Sequence, residues 1–295
     1  MKKTLILVLA LVVAGSAWAQ ESVDRRLAAS KTGLVEVDNV AGSVTVAGWD
    51  SDEVWVTGTL GKGTERLEFS SAGDRTVIRV VLPQHSHDVD GSLLEVRVPK
   101  QSRLDIETVS ADIEVDGVFG REDVQSVSGS IVVRGAPSEL IAETVSGELG
   151  VDVGTDRVRL ESVSGDIEVK RVARELEAET VSGTISARGE SPASLNLETV
   201  SGRIRYEGGL AKGARCEAST VSGEVELLLP KDVDAGFEIS TFSGTIQSDF
   251  GKTVERAVGH HKDHEHGHDL SFVSGAGSAR VIAKSFSGTV RIRGL

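Results

Sequence analysis

The residues of this chain alternate polar and apolar over short stretches, as in Asp166-Ile167-Glu168-Val169, and the alternation restarts at a near-fixed interval. Period two marks half-buried strands, because successive side chains of an extended chain point to opposite faces. Written with an 18-residue period, two apolar columns separate. One holds Ile106, Val124, Ala142, Leu160, Ala178, Leu197, Ala218 and Ile239; the other holds Ile113, Ile131, Leu149, Ile167, Ile185, Ile204, Val225 and Ile246. Between them stands a polar column: Glu107, Gln125, Glu143, Glu161, Glu179, Glu198, Ser219 and Ser240. Each repeat therefore predicts strands and turns, and no helix.

The alternation breaks at a four-residue phrase: Ser or Thr, Val or Phe, Ser, then Gly or Ala. It runs from Thr108-Val109-Ser110-Ala111 to Ser285-Phe286-Ser287-Gly288. Its second Ser falls at 110, 128, 146, 164 and 182, so four gaps are 18 residues each; later gaps are 19, 21, 21 and 44. So short a period is the mark of a solenoid, in which each repeat is one coil stacked on the next. A repeat made only of strands and turns closes as a parallel β-solenoid, its coils about 4.8 Å apart. The predicted class is all-β: coils of 18–21 residues, with antiparallel strands or hairpins capping the otherwise unpaired edges at both ends. Gly in the phrase is expected to supply left-handed backbone at a corner. Two orientations stay open there. Strict alternation puts the Thr and Ser column inside and leaves an external Val ladder; a bend before the Gly buries Val instead.

The expected organisation is a signal peptide over 1–19, a linker over 20–32, a strand-rich cap over 33–100 and regular coils over 101–249. A His-rich insertion over 250–269 follows, then a C-terminal hairpin and final coil over 270–295. The leader rests on Lys2 and Lys3, an apolar run from Leu5 to Ala14, and Ala17-Trp18-Ala19 as a small-x-small cleavage site. That run is too short to span a membrane, and no later stretch is apolar for long enough. Strands are expected at 34–37, 43–46, 54–57, 67–70, 76–82 and 93–98, and a hairpin from 270–273 and 279–283.

Charge and composition narrow the function classes. A formal net charge of −13 argues against nucleic acid as a partner. Aromatic residues make up only 4% of the chain, so its core must be built from many small aliphatic contacts. Cys216 is the one cysteine, which excludes an internal disulfide. It falls in the column of Leu140, Val158, Leu176 and Leu195, where it reads as a buried small apolar residue and not as a reactive thiol.

Three features invite chemistry. The repeated Ser has no His at a matching position to activate it, so it reads as a corner hydrogen-bonder and not a nucleophile. The stacked Glu column would place like charges about 4.8 Å apart, a repulsion of roughly 0.9 kcal/mol in water-like dielectric. Arg or Lys on adjacent columns, a divalent cation or plain solvation must offset it. The densest cluster is His260, His261, His264, His266 and His268, interleaved with carboxylates. Such a tract can coordinate zinc or copper, but its spacing matches no closed site, and only His85 and His87 lie upstream as further ligands. A flexible polar loop is the plainer reading set against it.

The stretches Asn39-Val40-Ala41-Gly42-Ser43-Val44-Thr45-Val46 and Val96-Arg97-Val98-Pro99-Lys100, followed by Leu104-Asp105-Ile106-Glu107-Thr108-Val109-Ser110, carry a further signal. With the recurring Glu-Thr-Val-Ser-Gly phrase they resemble the bacterial putative-adhesin family of β-strand-repeat proteins, domain of unknown function 4097. The resemblance covers Gly33 to Leu295. It implies a β-solenoid of the cell envelope and brings no catalytic residue set. Ala41 and Ala111 depart from the phrase, as does the His-rich insertion. The functional expectation is an exported, non-enzymatic, adhesin-like scaffold that binds by multivalent display, periplasmic or extracellular. Envelope polysaccharide, a surface protein and self-assembly stay open as partners. A periplasmic metal-binding protein using the His tract is the alternative. A carbohydrate-active β-helix enzyme is a third reading, opposed by the lack of any constellation breaking the repeat between 100 and 245.

Overall fold

In the computed structural model, residues 21–84, 89–250 and 267–295 are described. They form nineteen strands and no helix. The first six are β1 (Ser22–Ala28), β2 (Leu34–Trp49), β3 (Glu53–Thr59), β4 (Arg66–Ala72), β5 (Arg75–Val81) and β6 (Ser92–Pro99). The stack continues with β7 (Arg103–Asp116), β8 (Arg121–Ser126), β9 (Ile131–Gly135), β10 (Glu139–Thr144), β11 (Leu149–Val153), β12 (Arg157–Ser162) and β13 (Ile167–Val169). It ends with β14 (Glu175–Gly189), β15 (Ser194–Gly208), β16 (Arg215–Leu229), β17 (Ala235–Ser248), β18 (His268–Ser274) and β19 (Ala279–Gly294).

The coils stack in parallel with the 18-residue register of the sequence. Ala142 lies between Val124 and Leu160, and Leu149 between Ile131 and Ile167. Each coil has two strand segments meeting at the phrase, either interrupted there, as in β10 and β11, or running through as one bent strand, as in β14. Both apolar columns point inward and join in one hydrophobic cluster. Each buried aliphatic contributes roughly 1.5–3 kcal/mol, and the amides are satisfied by the next rung, as in Ile131 N–H donating to Glu148 O (2.9 Å) and Leu149 N–H to Asp166 O (2.9 Å). The parallel β-solenoid is therefore the fold, and Cys216 sits in the core between Leu195 and Val281, where burial pushes its thiol up to about 12.

At the ends the stacking order departs from the sequence order. β19 does not finish the stack; it lies between β16 and β17, parallel to both. The outermost coil is β17, and β18 runs antiparallel along its first half. The hairpin expected from 270–273 and 279–283 is thus absent, because these segments flank opposite sides of β17. The reason lies in the pattern: Val281 and Ala283 continue the inward columns of Cys216 and Ala218 and lead straight into the Ser285-Phe286-Ser287-Gly288 corner, so 279–283 is half a coil. At the other end β2 lies between β7 and a rung composed of β5 and β6. Its phrase Asn39-Val40-Ala41-Gly42 is in register with Thr108 to Ala111, as a degenerate copy should be. Antiparallel strands complete this cap: β4 on β5, β3 on β6 and β1 on β3. Residues 22–28, expected as linker, are therefore a strand, held by pairing Arg26 with Trp55 and Leu27 with Val54.

The expected leader over 1–19, His85, His87, and His260, His261, His264 and His266 lie outside the described residues. Among the described residues no helix is long and apolar enough to cross a membrane.

Candidate functional site: an axial groove at the repeated corner

Strict alternation wins at the corner. The Thr and Ser that open each phrase are 3–7% exposed, whereas the following Val or Phe is 44–56% exposed from Val109 to Phe286. In the coils interrupted at the phrase, the hydroxyl makes this possible by replacing a missing backbone partner. The Gly147 N–H donates to Thr144 Oγ1 (3.1 Å), and the Gly129 and Gly165 N–H groups donate to Ser126 Oγ and Ser162 Oγ (2.8 Å each). A valine there would strand that amide. The phrase's glycine serves a purpose other than the one expected. Of the column only Gly42, with φ 109°, has left-handed backbone. Elsewhere the rungs approach so closely that a Cβ at Gly147 would overlap the carbonyl oxygen of Gly129. The one Ala of the column, Ala111, lies beside Gly42.

The exposed Val column is consequently an unbroken ladder. In stacking order it reads Val40, Val109, Val127, Val145, Val163, Val181, Val200, Val221, Phe286 and Phe242, with the two phenyl rings stacked 4.9 Å apart at the end. Its backbone is tied rung to rung: Val145 N–H donates to Ser126 O (3.3 Å) and Ser146 N–H to Val127 O (3.0 Å). Two residues before each Val, on the same face, stands the polar column of Glu107, Gln125, Glu143, Glu161, Glu179, Glu198 and Ser219. These two ridges, with the Thr and Ser column as floor, bound a groove of about 1040 Å³ running along the solenoid from Asp38 and Arg79 to Val221.

The groove is acidic, and all but one of its glutamates lack an ion pair with any described residue. On the neighbouring outer columns the charges pair: Arg121 with Glu139 (2.9 Å), and Arg157 with Glu139 and Glu175 (3.5 Å each). In the groove Glu161 is paired, with Arg159 (2.6 Å), while Glu107, Glu143, Glu179 and Glu198 make no ion pair with any described residue. Partial burial, then the Glu161 and Asp123 carboxylates, hold the Glu143 carboxyl above its ordinary value, with Arg159 opposing. Burial, then Glu198, Glu177 and Glu161, does the same to Glu179. On the floor, Thr199 and Thr220, 4% and 5% exposed, have hydroxyls without a hydrogen-bond partner.

Of the histidines considered as metal ligands, only His268 is described; it opens β18, exposed and paired in register with Thr241. No group of three or more His, Cys, Asp or Glu among the described residues is placed to hold a metal ion. The Glu and Val columns were each visible in the sequence, but their joining into one groove was not, because that depended on which residue of the phrase turned outward.

No curated protein matches the chain. Among solved structures, a "putative adhesin" from Bacteroides fragilis NCTC 9343 superposes with a TM-score of 0.49 at 9% identity, over 93% of this chain and 98% of that one. A "putative adhesin" from Parabacteroides merdae ATCC 43184 gives 0.45 at 9% identity, over 92% and 96%. The family model described as Toastrack DUF4097 matches residues 28–293, nearly the whole described solenoid, and the chain belongs to that family.

Proposed function

We propose that this protein is an exported, non-enzymatic binding scaffold of the cell envelope, adhesin-like in action, and that its binding face is the axial groove. The observation that carries this reading is the Val ladder held in water beside a polar column whose glutamates are mostly without ion pairs. Soluble proteins seldom leave an unbroken apolar line exposed unless something binds there. The rungs repeat one chemical unit at coil spacing, so contacts that are weak singly add along the axis. The basic-to-apolar leader supports export, and the chain's acidic balance sets it apart from nucleic-acid binders.

The test is retention of the purified protein on cell-envelope preparations, with fractionation of the producing cell. Val145→Thr, Val163→Thr and Val181→Thr together keep β-branched side chains on exposed strands and so leave the fold intact. They are expected to reduce retention at least fivefold, with the native protein recovered outside the cytoplasm. Unchanged retention in the triple variant, or recovery wholly in the cytoplasm, would overturn the proposal.

A further inference from the structure

Resting on the reading of the groove as a binding face, we infer that its occupant is a cationic amphipathic α-helix contributed by another protein. Three properties of the groove select that class. Its acidic wall carries four carboxylates with no ion pair among the described residues, two of them, Glu143 and Glu179, held above their ordinary pKa by burial and by neighbouring carboxylates, so the ligand must bring positive charge. The opposite wall is aliphatic along its full length, so the ligand must bring apolar groups on the adjacent face. Both walls are built one residue per rung in register, so the ligand must repeat as well.

A second copy of this chain fails the first condition, because it would set one Glu ladder against another. A neutral glycan fails the second, because Val145, Val163 and Val181 offer no aromatic platform and the carboxylates would stay unneutralised. The third condition separates helix from strand. Anchors of an amphipathic helix recur every 3.5 residues, about 5.25 Å, against a rung spacing of about 4.8 Å. The mismatch accumulates to about half a rung only after some five turns, so an 18-residue helix keeps roughly one aliphatic anchor per rung. Same-face residues of a strand recur at about 6.8 Å and lose the rungs within one or two steps. Lysines flanking the helix's apolar stripe then face Glu143, Glu161 and Glu179.

The experiment is fluorescence anisotropy of a labelled 18-residue Leu/Lys peptide with helical periodicity, titrated with the full chain. Binding is expected, weakening at least tenfold in Glu143→Gln/Glu161→Gln/Glu179→Gln and at least fivefold in the Val145→Thr/Val163→Thr/Val181→Thr protein. It should also weaken as salt rises from 0.15 to 0.5 M. A Leu/Glu peptide of the same pattern is expected not to bind. Equal affinity in either triple variant overturns the inference, as does equal binding of the Leu/Glu peptide. Tighter binding of a peptide with Leu and Lys strictly alternating overturns the helical assignment. If the triple Val variant loses envelope retention while the helical peptide fails to bind, the inference falls and the scaffold reading stands.

Discussion

Replacing Glu122 by Leu is expected to stabilise the protein and to remove a pH dependence that the native chain carries. Glu122 stands in an inward column, between Leu104 on one rung and Leu140 on the next, fully buried and with neither carboxylate oxygen hydrogen-bonded. Burial alone moves its carboxyl from 4.5 up to about 8. At neutral pH the folded protein therefore holds a proton there that the unfolded chain releases. The sign follows: between pH 4.5 and about 8 the native state binds more protons, so unfolding free energy falls as pH rises, by about 1.4 kcal/mol per pH unit. The accumulated loss is about 3 kcal/mol at pH 7 and about 5 kcal/mol once the pH exceeds 8. The unsatisfied oxygens add about 1–3 kcal/mol at any pH.

Urea melts of the native, Glu122→Leu and Glu122→Gln proteins across pH 5–9 separate the two contributions. The Leu protein should exceed the native one by about 4–6 kcal/mol at pH 7, with the difference growing toward pH 8. The Gln protein should share the flattened pH profile, since amides do not titrate, but gain less because its polar atoms remain unpartnered. Parallel native and Leu curves from pH 5 to 8 would refute the reasoning, since they would mean the carboxyl titrates at its unfolded value and is not sequestered.

Three further pairs of substitutions test the column assignments. Ile167→Ala should cost about 2–5 kcal/mol in denaturant melts, while Glu168→Ala, one residue on and facing water, should be nearly neutral. Thr144→Val should cost about 1–3 kcal/mol by stranding the Gly147 amide, whereas Thr199→Val, whose hydroxyl has no partner, should be neutral or stabilising; equal losses would contradict the difference drawn between interrupted and continuous corners. Gly147→Ala should destabilise by forcing its rung away from Gly129, visible as a lowered Tm, while Gly154→Ala, which meets nothing within 4 Å, should leave Tm close to native.

The solenoid was legible because its columns are redundant. Ile131, Leu149 and Ile167 repeat the same statement three times, and any single exception leaves the register unharmed. The candidate groove was half legible: Glu143 and Val145 were both singled out, but their facing depended on the phrase's orientation, which alternation and a bend predicted in opposite senses. In the coils interrupted at the phrase, the hydroxyls of Ser126, Thr144 and Ser162 accept from the glycine amide three residues on and favour the inward Thr or Ser. Glu122 was missed for the converse reason. It occupies the position 18 residues before Leu140 in an otherwise apolar column, and regularity invites an exception to be read as the rule. The order of the coils at the ends was not legible, since parallel ladders accept any rung whose inward residues match, and sequence separation carries no energy of its own.

That stacking order has a consequence at the C-terminal end. In a solenoid each rung touches only its neighbours, so an end rung has one ladder where inner rungs have two. Here the chain's last coil is an inner rung, hydrogen-bonded to β16 and to β17, and the outermost coil β17 pairs with nothing but β18 and β19 among the described residues. Phe237 of β17 stacks on Phe272 of β18 at 4.5 Å, so its burial also depends on the later segment. Ending the chain after Phe250 should therefore release residues 235–248 along with the part removed, although they precede the cut. Limited proteolysis should cleave within that stretch while residues up to Leu229 stay protected. Protection of 235–248 in the shortened chain would show that β17 docks directly on β16, and that insertion of β19 displaces a stable pairing and does not create the only one.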